Sequence, residues 1–239
     1  MLSFGAILRY NHMKGSDTYM KINFEMIKNN ETIRTYIKKA DESLGSMGFT
    51  EHSFAHVGVV AEVAANLLGD LGRDEHQVEL ARIAGYLHDI GNVINRVDHA
   101  QSGAMMAFRL LDNMGADAED IATIITAIGN HDEKTAYPVN SVAAALIIAD
   151  KTDVRESRVR SKDTIAFDIH DRVNYAVKRS SVKLNEEKTE IQLRLNIDPS
   201  ICSVAEYFEI FLDRMLLCRK AAEKLGVSFV LRINGQKLM

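Results

Sequence analysis

Apolar residues recur at helical spacing through the first two-thirds of the chain. Between Glu31 and Leu44 they are Ile33, Ile37, Ala40 and Leu44, and Gly45 stops the run. After Thr50 a second stripe carries Phe54, Val57, Ala61, Ala64, Leu68 and Leu71. Asp74, with Gln77 three residues on, forms a capping-box pattern that opens a third helix towards Leu87. A fourth helix opens at Asp98 and ends near Gly115. Asp117 caps a fifth that buries Ile121, Ile124, Ile125 and Ile128, and Asn140 caps a sixth over the apolar run Val142 to Ala149.

Past Arg160 the pattern changes. Asp168 to Arg179 reads as a helix, and Val182 to Ile197 as a hairpin, with Ile191, Leu193 and Leu195 alternating against polar residues. Its turn is Asn185-Glu186-Glu187-Lys188. A long helix follows from Val204 to Leu225, with Phe208, Phe211, Met215 and Ala222 on one face. Gly226 stops it, and Ser228 to Ile233 reads as a last strand. The expectation is a mainly α fold: a helical bundle followed by a small α+β C-terminal unit of hairpin, long helix and strand. The expected divisions are an N-terminal extension over 1–19, a helical domain over 20–160 and the α+β unit over 161–239. Met13 and Met20 leave open a later start than Met1.

Composition agrees with this pattern. Only two prolines occur in 239 residues, which suits long uninterrupted helices. A content of 46% hydrophobic and 26% charged residues excludes disordered and low-complexity classes. The net charge of −4 provides no global positive field for nucleic acid or anionic lipid, so phosphate binding must be local. No run approaches the ~18–20 apolar residues of a membrane span. Cys202 and Cys218 form no CxxC and no disulfide framework, so reduced thiols and a cytoplasmic location are expected.

Chemistry enters with the histidines. His56 lies within the second helix, His88-Asp89 ends the third, His99 begins the fourth and His131 follows the fifth. Asp150 closes the apolar run Leu146-Ile147-Ile148-Ala149. A carboxylate after four apolar residues is costly to bury without a partner. Several imidazoles and two carboxylates at the ends of apolar helices share one remedy, a bound metal cation. The dipeptide His-Asp means little by itself, since it occurs at 88, 131 and 170. A single histidine on an apolar helix is more often a hydrogen-bonded core residue. The ordered set His, His-Asp, His, His, Asp is hard to read as packing.

That ordered set resembles the HD-domain superfamily of metal-dependent phosphohydrolases, whose core is a helical bundle holding His…His-Asp…Asp. Leu87-His88-Asp89-Ile90-Gly91 and Ala149-Asp150-Lys151 carry the likeness. His99-Ala100-Gln101-Ser102-Gly103 and Ala127-Ile128-Gly129-Asn130-His131 resemble the further ligand segments of binuclear members, closest to bacterial hydrolases of symmetrical dinucleoside polyphosphates. The resemblance implies that His56, His88, Asp89 and Asp150 bind one metal and that His99 and His131 bind a second. Asp89 would bridge the pair, with Asp89 and Asp150 as the catalytic carboxylates. The implied cofactors are two divalent transition metal ions, iron or manganese first, with magnesium, nickel, cobalt or zinc as alternatives. Two such ions acidify a bridging water and clamp phosphoryl oxygens, so a metal-bridged hydroxide would attack a phosphate ester or anhydride. The implied partner is a small phosphorylated molecule, a nucleotide by preference. The same ligands suit a mixed-valent di-iron oxygenase, and a third alternative is a nucleotide-sensing module without turnover.

Family members commonly continue His-Asp-Ile-Gly with a phosphate-holding lysine; here Asn92 stands there, and Arg96 is the candidate substitute. Lys151 and Arg155 are further candidates for substrate phosphate, and Asp153 for orienting a ligand, a basic residue or a water. Arg158 and Arg160 read as a solvated charged segment. His52 reads as a cleft-rim or helix-start residue, because no glutamate follows it to make a zinc-protease HExxH. His12, His76 and His170 read as surface residues, with His170-Asp171 a decoy. The Phe208, Phe211, Met215 stripe reads as core. The C-terminal hairpin and strand are left either covering the active-site mouth or forming a homodimer contact.

Overall fold

The structure is a computed structural model that describes residues 22–164 and 168–239. The extension assigned to 1–19, the alternative starts at Met13 and Met20, and His12 lie outside the described residues.

The helices are α1 (Phe24–Lys28), α2 (Glu31–Ser46), α3 (Phe54–Asp70), α4 (Glu75–Leu87), α5 (His99–Asn113), α6 (Ala118–Gly129), α7 (Ser141–Lys151), α8 (Ile169–Ala176) and α9 (Val204–Leu225). A 3-10 turn, Ile90–Val93, separates α4 from α5. Strands β1 (Val177–Leu184), β2 (Glu190–Ile197), β3 (Ser228–Ile233) and β4 (Gln236–Lys237) form one sheet in that order. The mainly α architecture with a small α+β C-terminal unit is therefore observed.

Side-chain capping explains where the helices begin. Asn30, Ser53, Asp74, Asp117 and Asn140 each accept a hydrogen bond from a backbone N–H of the following turn. The box expected at Asp74 is only half formed, since Gln77 Oε1 finds no partner among the described residues. The complete box is at Ser203 and Glu206, opening α9.

α7 organises the core. Every residue from Val142 to Ala149 is buried, as expected of a helix apolar all round. α3, α4 and α6 pack against α7, and so does α9 from the C-terminal unit. One apolar cluster runs from Ile33 on α2 through Leu146 on α7 to Met215 on α9 and Leu231 on β3. The C-terminal unit is thus built onto the bundle through a shared core.

The helix expected to reach Arg179 stops at Ala176. Val177 is buried and pairs with Ile197, and Asp198 N–H donates to Ala176 O, so the chain enters the sheet three residues early. β1 and β2 are antiparallel. β2 and β3 are parallel, and α9 is the crossover that a parallel pair requires. β1 forms a sheet edge and exposes Lys178, Arg179 and Lys183, charges that discourage edge-to-edge pairing. No helix among the described residues is long and apolar enough to cross a membrane.

Candidate metal centre

The ends of five helical segments meet at one point beside α7. His56 lies one turn into α3, His88 is the C-cap of α4, and Asp89 opens the 3-10 turn. His99 is the first residue of α5, His131 follows α6 by two residues, and Asp150 is the penultimate residue of α7. Glycines permit the convergence. A Cβ on Gly85 would lie 2.7 Å from Ala61 Cα, so α3 and α4 touch at backbone distance; the His56 and His88 rings sit 5.2 Å apart. A Cβ on Gly91 would lie 2.1 Å from His99 O and 2.5 Å from Gly103 N, so the turn carrying Asp89 rests on the start of α5. The glycine of His-Asp-Ile-Gly and that of His-x-x-x-Gly are therefore two halves of one contact.

Each imidazole is anchored through Nδ1. His88 Nδ1 is 2.8 Å from Gly85 O, His99 Nδ1 is 3.0 Å from Arg96 O, and His131 Nδ1 is 2.6 Å from Ile128 O. A carbonyl only accepts, so each Nδ1 carries the proton and donates, and a neutral ring keeps its lone pair on Nε2. His56 Nδ1 is held by a carboxylate instead, 2.7 Å from Asp153 Oδ2. All four Nε2 atoms face inward. Asp89 Oδ2 lies 3.5 Å from His56 Nε2 and 3.2 Å from His88 Nε2, while its Oδ1 lies 3.5 Å from His99 Nε2 and 3.9 Å from His131 Nε2. Asp150 Oδ1 is 3.5 Å from His56 Nε2 and 3.7 Å from His88 Nε2.

This donor set fits divalent cations on three grounds. The buried Nε2 atoms of His56 and His88 have no hydrogen-bond partner among the described residues. His99 Nε2 and His131 Nε2 face each other at 3.2 Å, two lone pairs that a shared cation would serve, with Arg96 Nη1 reaching His99 Nε2 at 3.4 Å. Burial lowers the pKa of both rings, which disfavours a shared proton in that role. Two overlapping groups, His56–His88–Asp150 and His88–Asp89–His131, have ligand atoms close enough to hold an ion.

The electrostatics keep the carboxylates ionised. Burial opposes the charge on Asp89, but His88 and His56 outweigh it and hold the carboxyl well below its usual range. Asp150 behaves alike, with Lys151 the leading partner; its Nζ is 2.7 Å from Asp150 Oδ2. For His56, burial and Arg158 oppose protonation, but Asp150, Asp153 and Asp89 prevail and raise the imidazole to about 10.

The six candidate ligands are thus brought together, and the four candidate substrate residues are spread out. Arg96 Nη1 lies 3.8 Å from Asp89 Oδ1 and donates to Asn92 Oδ1 at 3.2 Å. Asn92 donates to Asp89 Oδ1 at 2.8 Å, so this residue orients the Asp89 carboxylate. Lys151 is buried between Asp150 and Glu133. Asp153 sits behind His56 and also accepts from Arg155 Nε at 2.8 Å. Arg155 is directed to Asp153, Glu51 and Ser157, and is not among the cleft-lining residues.

Several readings need correction. Arg158 is not solvated: it is buried, donates to Glu51 O and Asp153 O, and lines the cleft. Arg160 is exposed as expected and ties Asp41 on α2 to Phe49 O in the α2–α3 loop. His170 is exposed as expected, yet it and Asp171 line the same cleft as Asp89. His76 is exposed as expected, with Nε2 2.7 Å from Asp120 Oδ1. His52 lies inside the cleft, with Nδ1 donating to Thr50 O at 2.7 Å and Nε2 4.0 Å from Asp89 Oδ2; burial keeps this ring neutral, well below its usual pKa.

The cleft over the cluster has a volume of about 320 Å³. A larger hollow of about 740 Å³ opens at the first turns of α4, α6 and α7 and contains none of the six ligands, so the chemistry belongs to the smaller one. Phe211 and Arg214 on α9 and Glu133 after α6 also line the cleft. Sequence reasoning missed Arg214 and Glu133. The one available signal was an arginine three residues after Phe211, on a helix otherwise read as core.

Fold and site together define a helical bundle that converges imidazoles and carboxylates at helix ends. Residues 53–163 match the HD domain, a family of metal-dependent phosphohydrolase type. The chain is also 26% identical over 206 residues to uncharacterized protein MJ1020 of Methanocaldococcus jannaschii, covering 76% of this chain and 79% of that protein. The HD match ends before α8, so that α9 lies outside it.

Proposed function

We propose that this chain hydrolyses a phosphate ester or anhydride of a small molecule, a nucleotide by preference, at two divalent cations. His56, His88, Asp89 and Asp150 would hold one, and His99, His131 and Asp89 the other, with iron or manganese the expected metals. The observation that carries this reading is the divided carboxylate of Asp89, one oxygen facing His56 and His88 and the other facing His99 and His131. Bound cations would supply an acidified water and Lewis-acid contacts to phosphoryl oxygens.

The protein's own groups do the rest. Asn92 fixes the rotamer of Asp89 through its amide, and Asp153 fixes the ring of His56. Lys151 keeps Asp150 ionised. Arg96, beside Asp89 and partly exposed in the cleft, supplies a cation for phosphate where family members commonly carry lysine. His52 presents a neutral Nε2 to the cleft, able to accept a hydrogen bond from water or a substrate hydroxyl.

The deciding experiment loads the purified chain with manganese or iron, counts metal, and offers nucleotides, dinucleoside polyphosphates and simple phosphate esters. The expected result is two ions per chain and release of phosphate or mononucleotide. One ion per chain refutes the binuclear assignment. Silence across the panel refutes the hydrolase, and oxygen uptake by the di-iron form would then favour the oxygenase.

A further inference from the structure

Arg214 is a charged group in an unusual position. It lies on α9, outside the HD segment, and its side chain is only 25% exposed. The guanidinium lies against the Phe211 ring, with Cζ 4.5 Å from the centroid, so one face is covered by an apolar partner. Its Nε is 2.5 Å from Glu133 Oε1, but off the N–H direction, and this buried donor has no hydrogen-bond acceptor among the described residues. The same Glu133 oxygen is 3.8 Å from Lys151 Nζ. One carboxylate oxygen therefore serves two cations, while Lys151 is already committed to Asp150 at 2.7 Å. Arg214, Glu133 and Lys151 line the same cleft as Asp89 and Asp150.

A guanidinium is a planar fork that matches two oxygens of one anion, and leaving a buried donor unpaired is costly. Glu133 satisfies the charge of Arg214 but not its geometry. An anionic oxygen arriving from the cleft would satisfy both.

We propose that Arg214 is a substrate-binding residue that holds a second phosphoryl group, adjacent to the one attacked, and that Glu133 is the resident counter-ion it leaves on binding. The substrate class is then a phosphoanhydride, or an ester bearing a second phosphate, rather than a simple monoester. The inference rests on the hydrolase reading above and narrows it. It also gives the C-terminal unit a role: α9 completes the cleft opened by the HD helices.

The test is equilibrium binding to the full-length, metal-loaded chain by titration calorimetry, with methylenediphosphonate and methylphosphonate as non-hydrolysable probes. Wild type is expected to prefer the diphosphonate by at least about tenfold, the scale of a charge-assisted hydrogen-bond pair. Arg214→Ala should erase that preference, and Arg214→Lys should restore part of it. Because truncation on α9 can unsettle the helix, Glu133→Gln provides an independent arm. Removing the counter-ion should tighten the diphosphonate while the melting curve stays cooperative. No preference in wild type, equal losses for both probes in Arg214→Ala, or weaker diphosphonate binding in Glu133→Gln would each overturn the proposal. Absence of turnover with the preference intact would instead strike the hydrolase reading and leave the anion site standing.

Discussion

Asp153→Asn tests the site where its layers are most clearly separated. Asp153 touches none of the inward-facing Nε2 atoms; it acts on the cluster through His56 Nδ1, at 2.7 Å. The imidazole is fully buried and the carboxylate side chain is 3% exposed, so solvent screens the pair little. Asparagine keeps an acceptor oxygen for Nδ1–H but removes the charge that strengthens the ring as a donor. It also leaves Arg155 and Arg158 without their shared anion. Loss of such an outer partner lowers metal affinity by about 10–100-fold, which corresponds to about 1.4–2.7 kcal/mol. The loss should fall on one of two equivalents, because His99 and His131 are anchored by backbone carbonyls and do not involve Asp153. Calorimetric titration of metal-free protein with manganese, with chelator competition for the tighter step, resolves the two equivalents. Asp153→Ala should go further. It leaves the buried Nδ1–H of His56 without its carboxylate acceptor, costing about 3 kcal/mol of stability in the metal-free protein, or on the order of 6–12 °C in melting temperature. Equal weakening of both equivalents, or none, would refute the reasoning, since either result means that His56 is not the ligand Asp153 positions.

Other outcomes follow from the same geometry. Asp89→Ala should abolish both ions, because its two oxygens face both histidine pairs; one ion retained on metal analysis would contradict the bridging role. Gly91→Ala should cost about 3 kcal/mol or more through overpacking, since its Cβ would sit 2.1 Å from His99 O. It should displace the His99 position before the His56 one, read as loss of one manganese equivalent in the folded fraction. His56, raised to about 10, carries a proton in the metal-free protein at neutral pH, and a cation at Nε2 must expel it. Manganese affinity at that position should therefore rise about tenfold per pH unit below about 10, with proton release visible as a buffer-dependent heat. The linkage sign for stability is opposite. This raised pKa stabilises the metal-free fold fully below about 6.5, and the contribution is lost as pH climbs to about 10, measurable as a falling melting temperature.

The boundary between sequence and structure runs between local and tertiary physics. Helix starts were legible because a capping side chain acts on its own next turn: Asp74, Asp117 and Asn140 each stand where the chain marks them. Asp89 and Asp150 stood out because a carboxylate closing an apolar helix is a local anomaly, whereas the six candidate ligands as a set were legible only through their order and its resemblance to a known family. The start of β1 at Val177 was not legible, since pairing with Ile197 across the sheet decided it. Nor were the roles of charged residues. Asp153, Arg155 and Arg158 look alike as charges in a polar stretch and Arg214 as a charge on a core helix, and only the packing of α3 and α9 against α7 determines which backs a ligand and which faces the cleft. Sequence by itself determined the kind of helices, their starts and the donor atoms available. The tertiary structure decided which donors share a point and which cation is left with an unsatisfied N–H, because burial and long-range distance belong to the packed chain and not to any segment of it.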